Sequence, residues 1–367
     1  MLKFKRCISV VLFICLMLAM ILCMGKIMRP YSNERNIWDY FYDLEKDSVS
    51  VIIIGTSAAY RYYQPAQAWG ECGFTSFLLA NPAQPFKVVP YIFDEALRVQ
   101  DPDVIVVELR SIVSSDTGDE IEETDTDAPD SATAVQELTR TVISGMSIAS
   151  PHRYRGIFDL LSDDPDVPMI EYLFPVLKYH DSALFGNREL LKTYLHSDYR
   201  EYYGSADVFL VNDQTENARK MGEFKPDGLH HLTDEDKELI DTIAAKAAKS
   251  GKKVLFMLTP YPCKIGARAV IAELNDFMRE RQYDYLNSFD RLDEIDLDFS
   301  KDFYDSKHVN AFGAHKFTSW LAKYLDNRYT LKKDYLENIK DNWNTLASEW
   351  DAIYTEKAKL AEVGGQY

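Results

Sequence analysis

A serine and an Asp-x-x-His motif, far apart in the chain, have the residue types of a nucleophilic acyl-transfer site. Ser57 follows an apolar run at residues 51–54 and the short sequence Gly-Thr. Asp305 and His308 lie near the other end, three residues apart. This separation lets a carboxylate reach the Nδ1–H of an imidazole while Nε2 faces outward, as a general base requires. The serine would then be the nucleophile that the histidine activates.

Each of these residues also has an ordinary structural interpretation. A serine after Gly-Thr can cap the N-terminus of a helix that begins at Ala58, and a histidine in a loop is often simply solvated. The chain also contains a second Asp-x-x-His, formed by Asp227 and His230, just before a stretch typical of a helix start. We favour the C-terminal motif because it follows the last predicted strand.

The elements that must position these residues appear as apolar runs that alternate with helical patterns. The runs predict buried strands at 51–54, 75–80, 104–107 and 254–258, and a shorter strand at 283–286. Continuous apolar strands joined by helices indicate a parallel sheet that is covered on both faces. We therefore predict an α/β fold, a three-layer α/β/α sandwich with a central parallel sheet. The serine would lie at the carboxyl edge of this sheet, where ligands bind.

The patterns divide the chain into three parts. Residues 1–30 are a short stub and an apolar segment, 31–330 form the α/β domain, and 331–367 form a charged amphipathic helical tail. A long insertion, about 111–232, separates the third and fourth strands. We expect its acidic part, 116–130, to be a solvated loop, with a calcium site as the alternative. The aromatic remainder should be helical and cap the site.

The apolar segment predicts a membrane anchor. Lys3, Lys5 and Arg6 precede an almost unbroken apolar stretch at 7–24. Its length, about 18 residues, is close to that of a helix that crosses a bilayer. A cleaved signal peptide is the alternative, but no small-residue cleavage motif follows the stretch. The basic residues predict a cytoplasmic N-terminus, and hence a single-pass cell-membrane protein whose catalytic domain lies outside the cytoplasm.

Composition excludes several classes of function. The formal net charge of −17 disfavours nucleic acid as a partner. Cys72 and Cys263 are the cysteines outside the apolar segment, and we interpret them as free buried thiols, with pairing as the alternative. No CxxC motif or His/Cys cluster indicates zinc, so we predict no metal and no cofactor. A metal-dependent esterase that uses Asp227, His230 and His231 is a weaker alternative.

The two motifs resemble the SGNH/GDSL hydrolase superfamily. The resemblance rests on Gly-Thr-Ser at 55–57, after the first strand, and on Asp-Ser-Lys-His-Val-Asn at 305–310, before the final helix. It covers about residues 48–325. In that family the serine is the nucleophile and the Asp-x-x-His supplies the other triad members, which here are Ser57, Asp305 and His308. The resemblance also implies the SGNH, flavodoxin-like form of the sandwich.

The apolar N-terminal segment and the insertion make the chain more similar to membrane-anchored members of the family than to secreted esterases. Those members act in the D-alanylation of teichoic acids and in the acylation of envelope polysaccharides. The resemblance therefore implies an extracytoplasmic serine acyl hydrolase or acyltransferase that acts on acetyl or D-alanyl esters of a cell-envelope polymer. It also implies a membrane-bound O-acyltransferase as a partner. The alternative is a non-catalytic binding or scaffold component of an envelope modification complex.

The oxyanion hole departs from the family pattern. Many members have Gly-Asp-Ser-Leu at the nucleophile, where this chain has Gly-Thr-Ser-Ala. The family asparagine after the third strand, within Gly-x-Asn-Asp, is replaced by Glu108-Leu109-Arg110. We predict the backbone N–H of Ser57 as one oxyanion donor and the side-chain amide of Asn81 or Gln84 as the other. An ordinary polar turn is the alternative for this pair.

Two arginines are candidates for substrate binding. Arg61 follows the nucleophile closely, and Arg110 follows the third strand. Either guanidinium could bind a phosphate or carboxylate of an anionic polymer, and surface exposure is the alternative for each. Glu108 is predicted to be buried, where it would pair with one of these arginines or perturb the triad.

Overall fold

The computed structural model describes residues 2–28, 33–115, 131–162, 164, 166–174, 177 and 208–362. These residues group into two compact units. The smaller unit takes its residues from 1–40 and 139–199, and the larger unit from 41–138 and 200–367. Both candidate motifs belong to the larger unit.

The larger unit is built on a five-stranded parallel sheet. Its strands are β1 (Val51–Gly55), β2 (Ser76–Ala80), β3 (Val104–Glu108), β4 (Lys253–Leu258) and β5 (Tyr285–Asn287). Their order across the sheet, β2-β1-β3-β4-β5, is that of flavodoxin-like sheets. Every residue of the first three strands is buried, as their continuous apolar runs predict. The predicted α/β class with a parallel sheet is confirmed.

Helices connect and flank these strands. In chain order they are α1 (Leu2–Met28), α2 (Asn33–Asp43), α3 (Ser57–Tyr60), α4 (Pro65–Cys72), α5 (Val89–Val99), α6 (Arg110–Ser115), α7 (Ser131–Gly145), α8 (Pro151–Leu160), α9 (Met169–Leu173), α10 (Thr215–Lys220), α11 (Asp234–Ser250), α12 (Ile265–Arg281), α13 (Leu292–Ile295), α14 (Ala311–Arg328) and α15 (Glu337–Glu362). Local sequence sets several of their ends. The hydroxyl of Thr233 accepts from the backbone N–H of Asp236 (3.1 Å) and caps α11, which ends at Gly251 in the left-handed region.

Helices cover both faces of the sheet. The connection from β1 to β2 runs in one direction along the sheet, whereas the later connections run in the other. Right-handed crossovers therefore put α4 on one face and α5 on the opposite face. Accordingly, α4 packs with α14 and α15, while α5 packs with α11. The chain leaves β1 and its neighbour β3 in opposite directions along the sheet. Open α/β sheets bind ligands at this point, beyond the carboxyl ends of the strands.

The predicted tail helix, α15, contributes to the core of the larger unit. Trp343 and Trp350 are buried. The ring of Trp343 lies 5.8 Å from the ring of Trp69 on α4. The Nε1 of Trp69 donates to Asn344 Oδ1 (2.9 Å). Further along the helix, Tyr354 stacks on His315 of α14 with ring centroids 4.4 Å apart. One long helix thus spans the face that carries α4 and α14.

The apolar N-terminal segment forms the helix α1, and its apolar side chains between Ile8 and Met20 are exposed; Leu12 and Phe13, for example, are each 63% exposed. We predicted that this segment crosses a membrane. Within the described residues, no helix combines the length and the apolar character of a membrane span. Membrane crossing by α1 stays a prediction.

The described part of the insertion contains the helices α6 to α10, as predicted, whereas residues 208–214 and 221–232 are irregular. In the smaller unit, the buried guanidinium of Arg153 donates to the carbonyls of Ser144 (2.7 Å) and Tyr172 (3.0 Å), tying the end of α7 to α9. The predicted acidic loop, 116–130, lies outside the described residues. Cys72 and Cys263 form no disulfide, as interpreted from the sequence; Cys263 is buried as expected, whereas Cys72 is only half-buried.

Candidate active site

The turn after β1 places the hydroxyl of Ser57 at the site. A different residue of this turn caps α3. Thr56 has an extended backbone, and its Oγ1 accepts from the N–H of Ala58 (3.2 Å). The capping role that we considered for Ser57 therefore belongs to Thr56, and α3 begins at the serine itself. The Ser57 Oγ lies 2.7 Å from His308 Nε2. A serine with this contact is placed to give up its proton to the imidazole.

Gly55 allows this turn to approach β3 closely. A Cβ at position 55 would lie 2.7 Å from the Cβ of Glu108 and 3.1 Å from that of Ala59. Contacts of this length are too short for real side chains. The glycine of the Gly-Thr-Ser sequence is therefore needed for packing between neighbouring strands.

Asp305 orients His308. Its two carboxylate oxygens lie 2.9 and 3.1 Å from His308 Nδ1, and Oδ1 also accepts from the backbone N–H groups of Lys307 and His308, both at 2.7 Å. With Nδ1–H donating to the carboxylate, Nε2 is the acceptor for the serine hydroxyl. Burial alone would raise the pKa of Asp305, but these hydrogen bonds outweigh it and hold the pKa below its usual value.

The loop that carries the histidine is fixed at both ends. Asn310 caps α14 by accepting from the N–H groups of Phe312 (3.0 Å) and Gly313 (3.1 Å), and its amide donates to the carbonyl of Lys301 (2.7 Å). A Cβ at Gly313 would lie 2.8 Å from the Cβ of Val309. The motif residues therefore lie on a rigid loop that is held against the start of a long helix.

The surroundings of His308 favour its neutral form. Burial lowers the pKa of the imidazole; the charges of Arg110 and Arg61 lower it further, while Asp305 opposes them. The ring of Tyr304 stacks on the imidazole, with centroids 5.6 Å apart. A neutral imidazole at neutral pH is the form that can accept the serine proton.

Glu108 supports the nucleophile turn from the end of β3. It is fully buried, and its carboxylate accepts from the hydroxyls of Thr259 (3.0 Å) and Thr56 (3.4 Å) and from the N–H of Arg110 (3.1 Å). Burial raises its pKa. Through these contacts it joins the carboxyl ends of β1, β3 and β4. We had predicted that Glu108 could pair with Arg61 or Arg110. Among the described residues, its carboxylate pairs with neither arginine side chain.

Arg110 is buried beneath the histidine loop. Its guanidinium donates to the carbonyl of Lys307 (2.6 Å) and to the hydroxyl of Tyr62 (3.0 Å), and lies 4.3 Å from the ring centroid of Tyr261. The Tyr62 hydroxyl in turn donates to the carbonyl of Pro260 (2.7 Å). This side chain supports the loop of the triad, so the arrangement does not favour the substrate contact that we predicted for Arg110.

The two predicted oxyanion amides lie beside the nucleophile strand. The N–H of Asn81 donates to the carbonyl of Gly55 (3.3 Å), which holds the start of this loop at the carboxyl end of β1. The Asn81 amide donates to Gln84 Oε1 (2.6 Å), and both side chains are buried. Gln84 Nε2 has no hydrogen-bond partner among the described residues. Gln84 Nε2 can therefore still donate a hydrogen bond. The oxyanion role of either amide stays a prediction.

The second Asp-x-x-His forms the same internal contact as the first. His230 Nδ1 lies 2.8 Å from Asp227 Oδ2, and the neighbouring His231 pairs with Glu273 (2.8 Å). The ring of His230 faces Gly266, where an added Cβ would lie 2.9 Å from its Nε2. Among the described residues, a serine hydroxyl lies at the outer nitrogen of the C-terminal motif alone. Among the described residues, no group of three or more possible ligands is arranged to hold a metal ion.

Comparison with known proteins identifies no relative: no protein-family model matches the chain, and no curated protein matches it. The chemical interpretation therefore rests on the geometry of the site. Sequence reasoning found Ser57, Asp305 and His308 but missed Thr56 and Tyr62. A second hydroxyl residue beside the serine was the available signal for Thr56, whereas nothing local indicated Tyr62.

Proposed function

We propose that the protein is a serine acyl hydrolase or acyltransferase that works through an acyl-enzyme. The observation that carries the proposal is the continuous chain from Ser57 Oγ to His308 Nε2 (2.7 Å) and from His308 Nδ1 to Asp305 (2.9 Å). Nucleophile, base and orienting carboxylate in this order are the parts of a catalytic triad. The triad lies at the carboxyl edge of the sheet, where open α/β sheets bind ligands.

In the proposed reaction, His308 Nε2 takes the proton of Ser57 as Oγ attacks the carbonyl carbon of an ester. The tetrahedral intermediate collapses, and the leaving oxygen takes the proton from His308, which leaves the acyl group on Ser57. Water or a sugar or polyol hydroxyl then attacks the acyl-enzyme and gives its proton to His308. Release of the serine returns that proton to Oγ. The Ser57 N–H and the Gln84 amide are the proposed donors to the oxyanion.

We also propose a class of substrate and a location. The substrate would be an acetyl- or D-alanyl-type ester of a cell-envelope polysaccharide or a teichoic-acid-like polymer. The domain would be attached to a cell membrane through α1 and would work outside the cytoplasm, with a membrane-bound O-acyltransferase as a partner. The exposed apolar side chains of α1, which follow three basic residues, support the attachment. Flotation with liposomes, with and without residues 1–30, tests it.

Labelling with a fluorophosphonate, which reacts with activated serines, tests the proposed chemistry. The wild-type protein should be labelled, and Ser57→Ala and His308→Ala should not. Ser288→Ala is a matched control, since Ser288 is a buried serine outside the triad. Labelling that persists in Ser57→Ala would refute the assignment. Acyl donor supplied with and without a polysaccharide acceptor separates transfer from hydrolysis.

One observation favours the alternative of a non-catalytic binding component. The amides of Asn81 and Gln84 are buried, so the Gln84 Nε2 donor, although it has no partner among the described residues, does not face solvent. A protein that binds an acylated polymer without cleaving it needs no such donor. Absence of labelling, together with retained binding of the polymer, would support this alternative.

A further inference from the structure

Arg61 lies beside the triad, and no carboxylate among the described residues pairs with its charge. Its guanidinium lies 5.4 Å from the ring centroid of Tyr60 and 5.3 Å from that of Tyr304, the ring that stacks on His308. Its Nε is shielded from solvent and has no hydrogen-bond partner among the described residues. The side chain is thus held between two aromatic rings at the edge of the reaction centre.

Several other arginines of the chain are paired with carboxylates, whereas the buried Arg110 and Arg153 donate to backbone carbonyls. Arg98 bonds Glu95 (2.7 Å), Arg140 bonds Asp164 (2.6 Å) and Arg328 bonds Asp284 (2.7 Å). With 58 acidic residues against 41 basic ones, the chain has carboxylates in excess. A guanidinium nitrogen that is shielded from solvent and lacks a hydrogen-bond acceptor destabilises the folded protein. This destabilisation is offset if a ligand supplies the acceptor.

We propose that Arg61 is a binding site for an anionic group, a carboxylate or a phosphate, on the substrate of the triad. The inference rests on the proposed acyl-transfer function and narrows it to esters that carry a negative charge near the scissile bond. A guanidinium presents paired N–H donors that match the oxygens of either anion. The flanking rings of Tyr60 and Tyr304 hold its plane and reduce hydration, which strengthens the ion pair.

Three acetyl esters with the same acyl group test this inference. 4-Acetoxybenzoate carries a carboxylate, 4-acetoxyphenyl phosphate carries a phosphate, and 4-acetoxybenzamide is neutral. For each anionic ester, the ratio of its kcat/KM to that of the neutral ester measures the preference for charge. In Arg61→Gln this ratio should fall about 10- to 100-fold, mostly through KM, as expected for loss of a charged hydrogen-bonded pair. Arg61→Lys should retain part of the preference.

Arg279→Gln is the matched control, because it removes the same charge from an exposed position at the end of α12. Its ratios should equal those of the wild type. A ratio that is unchanged in Arg61→Gln would overturn the inference, because a structural role would reduce all three substrates equally. The relative size of the two anionic ratios tells whether carboxylate or phosphate is preferred.

Binding distinguishes failure of this inference from failure of the proposed chemistry. Benzoate and phenyl phosphate have no carboxylic ester to react, so calorimetry with Ser57→Ala measures the anion site alone. At least one of them should bind Ser57→Ala, and the Arg61→Gln substitution in that background should abolish binding, while Arg279→Gln should not. Hydrolysis without anion binding would overturn the Arg61 site only. Anion binding without serine labelling would overturn the acyl-enzyme only.

Discussion

His308 is buried beside two arginine side chains, which disfavours its protonated form and lowers its pKa below the usual 6.5. The base must be neutral to accept the proton of Ser57, so activity is lost as pH falls through this lowered pKa. We predict that kcat/KM for a neutral ester rises with pH and levels off, with an inflection below 6.5. Arg61→Gln should move the inflection upward, since it removes a charge that opposes protonation. A rate profile from pH 4 to 9 measures both; an inflection above 7 in the wild type would contradict the geometry.

The two Asp-x-x-His motifs provide a matched pair for testing the orienting carboxylate. Asp305→Asn keeps the shape of the loop but no longer favours the tautomer with Nδ1–H, and we predict a loss of roughly 10³- to 10⁴-fold in kcat, by analogy with other triads. Asp227→Asn makes the same change at the motif that lacks a serine and should leave kcat unaltered. Ester hydrolysis by the two purified variants, checked for equal thermal stability, measures the difference. Similar losses in both would count against the triad.

At the scale of elements, the turn after β1 depends on a cap that is held from a neighbouring strand. Thr56→Val removes the acceptor for the Ala58 N–H and the hydroxyl bonded to Glu108. We predict a loss of about 1 kcal/mol in the free energy of unfolding, together with a fall in kcat because the serine is no longer held. Thr56→Ser should restore both. Urea unfolding and ester kinetics measure the two effects, and full activity in Thr56→Val would exclude the positioning role.

Alanine substitutions at two helical glycines, Gly313 and Gly70, separate the effect of close packing on stability from that of helix propensity. Gly313→Ala introduces a Cβ 2.8 Å from that of Val309 and into contact with the Asp302 carbonyl, so we predict destabilisation by about 2 kcal/mol or more. Gly70→Ala meets only Ala347, at 3.6 Å, and should be neutral or stabilising by up to about 1 kcal/mol. Thermal unfolding of both variants gives the comparison. A neutral Gly313→Ala would show that the loop bearing His308 can shift.

At the scale of the whole molecule, α15 completes one face of the larger unit. Trp350 is 2% exposed and Trp343 is 4% exposed. Truncating either to alanine should cost about 3–5 kcal/mol in the free energy of unfolding. Leu360→Ala, at a 37% exposed position on the same helix, should cost less than about 0.5 kcal/mol. Urea midpoints report the difference, and near-wild-type midpoints for both tryptophan variants would show that α15 is not part of the core.

The sequence predicted those features that depend on local patterns. The strands follow from apolar runs such as residues 51–54, and the triad from a serine after a strand and a carboxylate three residues before a histidine. What it could not predict depends on contacts between distant residues. The side chain of Glu108 bonds hydroxyls just beyond the ends of two other strands, and Arg110 bonds a carbonyl of the histidine loop. Periodicity cannot tell which of two neighbouring hydroxyls, Thr56 or Ser57, caps the helix.

The position of α15 also has a consequence for the order in which the protein is made. Its tryptophans cover α4, yet they are synthesised after every other described helix and strand of the larger unit. Until then Trp69 lacks the ring of Trp343 and the acceptor on Asn344. Until α15 has been synthesised, the growing chain therefore carries an uncovered apolar face, the kind of surface that chaperones bind. A chain released early, before residue 343, would be prone to aggregate rather than to wait partly folded.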